Sequence, residues 1–156
     1  MSLESPQQCK FVPVINAQLL ADNVYYAGSH QHGSIKTNVD TQGFHSARVV
    51  FQLGATDIAV AELSLYESDT TTDGDFVIVT ASNYATSPLT LPSGTADGTA
   101  VAWFVDLRKR KRYLRVNAKN GDGSGGGYAY AFVDLWGAEQ VPNSAAERGL
   151  AQQVLL

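Results

Sequence analysis

Apolar residues in this chain recur at every second position far more often than at every third or fourth, in short runs separated by clusters of Gly, Pro, Asn, Asp, Ser and Thr. Successive side chains of an extended strand point to opposite faces, so the pattern predicts an antiparallel all-β domain with little room for helix. In residues 45–53, Ala47, Val49, Phe51 and Leu53 alternate with Ser46, Arg48, Val50 and Gln52, and Gly54 is expected to end the strand. Residues 58–67 follow after a short linker, with Ala59, Ala61, Leu63 and Leu65 on one face and Glu62, Ser64 and Tyr66 on the other, which predicts a hairpin with the preceding strand. The polar run SDTTTDGD at 68–75 reads as an exposed loop before a strand at 76–80. Pro88, Pro92, Gly94 and Gly98 make residues 81–98 irregular, because proline supplies no ladder N–H.

Residues 99–107 carry Val101, Trp103, Val105 and Leu107 on one side and Ala102 and Phe104 on the other. Apolar residues on both faces predict a central or interface-covered strand. In 111–119, Leu114, Val116 and Ala118 are expected inward and Tyr113, Arg115 and Asn117 outward, and Asn120-Gly121 is a hairpin signal. The last strand, 127–136, sets Ala129, Ala131, Val133 and Leu135 against Tyr128, Tyr130, Phe132 and Trp136. The favoured expectation is that the aromatics cover the core while the alanines meet a neighbouring sheet or subunit; the other is an exposed aromatic binding surface. With further strands at 11–15, 24–26 and 35–39, the count suits a β-sandwich or jelly roll of about eight strands at 11–139. It is flanked by a flexible N-terminal arm at 1–10 and a short helical or extended C-terminal tail at 140–156. Ser144 and Glu147 form a capping box, and the apolar residues after it, Leu150, Val154 and Leu155, need the sandwich or a neighbouring molecule to lie on.

Charge changes the picture. The 15 acidic and 11 basic residues leave a net −4, yet Arg108, Lys109, Arg110, Lys111, Arg112, Arg115 and Lys119 form a band free of acids in an otherwise acidic chain. Arginine favours bidentate pairing with carboxylate or phosphate. Three partners suit Arg108, Arg110 and Arg112: the chain's own or a sister subunit's acids, an acidic patch on another protein, or nucleic acid, favoured in that order, because the acidic remainder repels phosphates. The opening MSLESPQQCKF lacks the pattern of a secretory signal, and no apolar run is long enough for a membrane span.

Candidate chemistry is sparse. Cys9, the single cysteine, excludes an intramolecular disulfide and reads as a thiol without a role in a mobile arm. His30 and His32, with His45 from another strand, are a weak metal triad, and surface histidines are the expected reading. Asp69, Asp73 and Asp75 surround a glycine loop but lack the downstream glutamate of a calcium loop, and Asp122 among glycines carries as little weight. No nucleophile elbow, zinc-protease helix or phosphate-binding loop occurs, so neither an enzyme nor a cofactor is expected.

The run VDTQGFHSARVVFQLGA, the strand ending LYESDTTTDGDF and the block VDLRKRKRYLRVNAKNGDGSGGGYAYAFVDLWGAE together resemble the head decoration, or cement, proteins and related minor virion proteins of tailed bacteriophages. The resemblance spans residues 38–139 and rests on rhythm and turn residues. It implies a sandwich or jelly-roll subunit without catalysis that binds the outer capsid surface, made in the host cytoplasm and located on the virion. Its partners would be the major capsid protein and neighbouring copies of itself, often as a homotrimer, without membrane or direct nucleic-acid contact. A head–tail or tail component and a carbohydrate-binding sandwich stacking sugars on Tyr128, Tyr130 and Trp136 are the alternatives.

Overall fold

The computed structural model describes residues 9–20, 25–26, 38–80, 89–121, 126–140 and 144–152. Nine strands run through them: β1 (Lys10–Leu20), β2 (Tyr25–Tyr26), β3 (Val39–Asp40), β4 (Ser46–Thr56), β5 (Val60–Ser68), β6 (Val77–Ile78), β7 (Ala100–Asp106), β8 (Tyr113–Asn120) and β9 (Gly127–Trp136). They form two antiparallel sheets, one ordered β1-β9-β4-β7 and the other β2-β8-β5-β6, with β3 also paired to β8. The inner faces share a single core in which Val49, Phe51, Leu53, Val133 and Leu135 of the first sheet meet Leu65, Leu114 and Val116 of the second. Each such side chain, fully withdrawn from water, contributes roughly 1.5–3 kcal/mol. The all-β sandwich expected from the alternation is therefore the fold.

The connections differ from expectation. Both predicted hairpins are arches between sheets: β4 lies in the first sheet and β5 in the second, and β8 and β9 are separated in the same way. Each of these strands has one apolar face to bury, and crossing the core lets consecutive strands bury those faces against opposite layers. At the first arch the Thr56 hydroxyl donates to the Ile58 carbonyl while Ile58 is buried. At the second, Gly121 adopts a left-handed φ of 103° and donates its N–H to Ala59 of the first arch, so the two arches support each other. Among the described strands only β5 and β6 pair as chain neighbours.

Strand faces follow the sequence pattern more closely. Gly54 does not end β4, which continues to Thr56 through an irregularity after Leu53. A Cβ at Gly54 would come within 3.3 Å of the Tyr128 Cβ, so the glycine allows β9 to pass closely. In β5 a register shift between Val60 and Glu62 turns Val60 inward with Leu63 and Leu65 and leaves Ala59 and Ala61 exposed, against expectation. Strand β7 is an edge strand, not a central one. In β9 the alanine side faces the second sheet, with Ala129, Ala131, Val133 and Leu135 buried, so the aromatic row lies on the outer face and does not cover the core.

Lys10, assigned to the arm by the sequence pattern, already belongs to β1, and Cys9 stands half-buried beside it. No C-terminal helix forms in residues 144–152. The capping box is made, with Ser144 N–H donating to Glu147 Oε2 at 3.0 Å and Glu147 N–H to Ser144 Oγ at 3.2 Å. The turn then closes at once, as Gly149 at φ 74° donates to Ala146 and Leu150 donates back to Ala145, the pairing that terminates helices. Capped at both ends, it is one turn long. It lies on its own sandwich, where Phe11 N–H donates to the Arg148 carbonyl at 2.8 Å and closes part of the β1 edge. Val154 and Leu155 lie outside the described residues.

Gly149→Ala tests this docking, since a Cβ there would sit 1.8 Å from the Phe11 carbonyl oxygen on a left-handed backbone. The expected outcome is a loss of roughly 1–3 kcal/mol in chemical unfolding, with faster hydrogen exchange at the Phe11 amide.

Candidate functional site

The band of bases is not one strand. Leu107–Lys109 form a single 3-10 turn, and β8 begins only at Tyr113, so residues 107–112 carry the chain from the first sheet to the second. The arginines fan out onto separate carboxylates of the same chain. Arg108 makes a two-pronged pair with Asp106, at 2.8 and 3.0 Å. Arg110 Nε stands 3.5 Å from Glu67 Oε2, the oxygen that also accepts the Lys111 N–H. Arg112 grips Asp40 of β3 at 2.9 and 2.6 Å, its carbonyl accepts from both the N–H and the hydroxyl of Thr41, and its guanidinium lies over Tyr113. Arg108, Arg110 and Arg112 thus follow the first of the three expected pairings, and the partners Asp40 and Glu67 were not singled out by sequence.

Electrostatics follow from these contacts. Hydrogen bonding from Arg112 holds the Asp40 carboxyl below the usual carboxylate range, and Arg108 does the same to Asp106. Both guanidiniums are in turn pushed up.

Arg115 carries the band's most enclosed charge. Its side chain points to the outer face of β8, as the alternation predicts, yet only 4% of it is exposed. Phe76 covers the guanidinium at 3.8 Å, Asn38 Oδ1 accepts from both Nε and Nη2, and Asp73 Oδ1 accepts at 2.8 Å. The polar loop is thereby strapped over the second sheet. Asp69 accepts the Arg112 N–H at 3.3 Å and Asp75 accepts from the Thr70 hydroxyl, so each acid of the suspected calcium loop is engaged within the chain. No group of three metal-ligating side chains occurs among the described residues. His45 is exposed, 3.9 Å from Glu139, while His30, His32 and Asp122 lie outside the described residues.

The outer face of the first sheet is the second feature. Cross-strand register sets Val50 between Ala102 of β7 and Phe132 of β9, and Gln52 between Ala100 and Tyr130. Tyr128 is 56% and Phe104 77% exposed. Tyr130 stacks on Phe132 at 5.8 Å and donates its hydroxyl to Gln52, and Phe11 of β1 packs against Phe132 at 5.1 Å. Arg48 pairs with Asp134 and lies over Trp136, so the charges on this face are neutralised in place. The result is an aromatic outer face on which Tyr128 and Phe104 are exposed and Tyr130, Phe132 and Trp136 half-buried. Leu150, the remaining candidate, is 40% exposed beside the C-terminal turn.

No protein-family model matches the chain, and no curated protein matches it.

Two outcomes check the clasp. Arg115→Ala is expected to cost roughly 2–4 kcal/mol, removing the charge that Asn38 and Asp73 share and uncovering Phe76, with loss of hydrogen-exchange protection in residues 69–76. Asp40→Asn is expected to cost about 0.2–1 kcal/mol at neutral pH, since the pair is half exposed. The folded carboxyl releases its proton more readily than the unfolded one, so this contribution is present above about pH 4 and lost below. The stability difference between wild type and Asp40→Asn should therefore shrink as the pH of chemical unfolding falls through about 4 toward 2.

Proposed function

We propose that this protein is a non-enzymatic structural protein of a virion, a jelly-roll-like subunit that binds the outer surface of a bacteriophage capsid and stabilises it, with the major capsid protein and further copies of itself as partners. The partly exposed aromatic face of the first sheet, most open at Tyr128 and Phe104, carries the reading. Aromatic residues on a rigid sheet bury large area at little cost in side-chain freedom, which is the composition of protein interfaces at their centres. The arginine clasps support it in another way: they are occupied within the chain, holding β3 and the polar loop onto the second sheet. The resemblance of residues 38–139 to decoration proteins points the same way.

A second reading is favoured by the same face, because a row of Tyr128, Tyr130 and Trp136, exposed at Tyr128 and partly exposed at the other two, also fits stacking on sugar rings. One experiment separates the two. Purified protein is added to DNA-filled shells lacking it, occupancy is read by electron microscopy, and the same protein is screened against glycans. Saturating binding across the shell surface, weakened at least about tenfold by Tyr128→Asp, is the expected result. Binding confined to a vertex or tail would transfer the protein to another virion position, and glycan binding lost in Tyr128→Asp without shell binding would establish the carbohydrate reading.

A further inference from the structure

The two long edges of the first sheet are treated differently. The β1 edge carries Pro13 and is closed at Phe11 by the C-terminal turn. Among the described residues the β7 edge has no such protection. Its sequence, AVAWFVD, contains no proline, glycine or lysine and only one charge, at its end. Natural sheets block exposed edges with such residues, with bulges or with a covering segment, since a bare ladder is a template for another strand.

The hydrogen-bond phase of this edge can be read from its flanks. Thr99 accepts through its carbonyl from Leu53, and Leu107 donates its N–H to His45. The odd-numbered residues of β7 therefore turn their backbone groups toward β4. Ala100, Ala102 and Phe104 turn theirs outward, and all three residues are exposed. Their side chains also lie on the aromatic outer face, where Phe104 is 77% exposed, more than any other large hydrophobic residue described.

We propose that β7 pairs antiparallel with β7 of a second copy about a two-fold axis at Trp103, joining two four-stranded sheets into one of eight. The strand is complementary to itself in this register. Ala102 faces Phe104 of the other copy, so each phenyl ring lies over a small residue, and the outward N–H and C=O groups of both residues find partners. Ala100 faces Asp106, which keeps the two aspartates apart. On the inner face Val101 meets Val105 and the Trp103 backbones meet at the axis. A two-fold contact of this kind repeats the same patch on both chains and closes on itself. It makes the aromatic faces of two subunits continuous, and it is additional to any three-fold grouping.

The full chain should sediment as a concentration-dependent dimer at micromolar concentration. Ala102→Pro removes an outward N–H that has no partner among the described residues, so folding, read by circular dichroism, should persist while dimerisation weakens at least about tenfold. Phe104→Lys, which places a charge on the edge, should do the same and serves if the proline variant fails to fold. Register is checked in a Cys9→Ser background by mixing Ala102→Cys and Phe104→Cys chains under oxidising conditions. Disulfide between unlike chains should exceed that between like chains, because residues 102 and 104 oppose each other in this pairing. A monomeric wild type, a dimer unaffected by either edge variant, or equal cross-linking of like and unlike chains would each overturn the proposal. Failure of shell binding would leave it standing, since dimerisation is measured without shells.

Discussion

Strand β9 imposes the constraint on which the sandwich depends. It lies between β1 and β4 at the centre of the first sheet, and its side chains alternate strictly, small and aliphatic inward, aromatic outward except for Asp134. A slip of one residue would drive four aromatics into a core with room for alanine and expose Val133 and Leu135. The register is thus fixed by volume as much as by hydrogen bonds. Ala129 and Ala131, both nearly inaccessible to solvent, leave space for the larger Phe51 and Leu53 on the neighbouring strand, in keeping with the dense packing of protein interiors. The same alternation that fills the core produces the aromatic outer face, so the two properties are encoded by one strand.

The unequal charge distribution has a structural use. A connection between sheets exposes backbone at both ends and gains little from the hydrophobic core, so residues 107–112 need other support. Arg110 and Arg112 there reach acids of β5 and β3, and Arg115 at the start of β8 reaches the loop before β6, elements far apart in the chain. Most of these pairs are partly solvated and individually weak. Arg115 is the exception, because desolvation by Phe76 and Asn38 makes its partners obligatory. The band and the acidic remainder are therefore parts of one clasp within the subunit, and the broad outer face is left largely uncharged.

Much of this was legible in the sequence, and the boundary is physical. The faces of β4, β8 and β9 follow from period-two alternation, which is a local property of extended chain. The neighbours of each strand do not. Asn120-Gly121 supplies the left-handed turn that a hairpin requires, but an arch between layers requires it as well, and the choice rests on where Ala59 lies. Arg115 was read correctly as facing outward, yet its enclosure depends on Asn38 and Phe76, which no spacing rule connects to it. Phe104 was recognised as lying on the second apolar face of its strand. That β7 is an edge follows only from the completed sheet order, in which the strand before it in the chain belongs to the other layer.

The pairing of β1 with β9 has a consequence for synthesis. Among the described strands the first long one, β1, rests against the last, β9, and β9 also separates β1 from β4. As the chain emerges from a ribosome, β1 has no neighbour in its sheet and β4 has at most β7 until residues 127–136 have been made. The first sheet therefore closes only after β9 has been made, and folding is dominated by contacts distant in sequence, the regime of slow folding in small domains. Until then apolar strands remain without their partners, so correct assembly competes with association between unfinished chains.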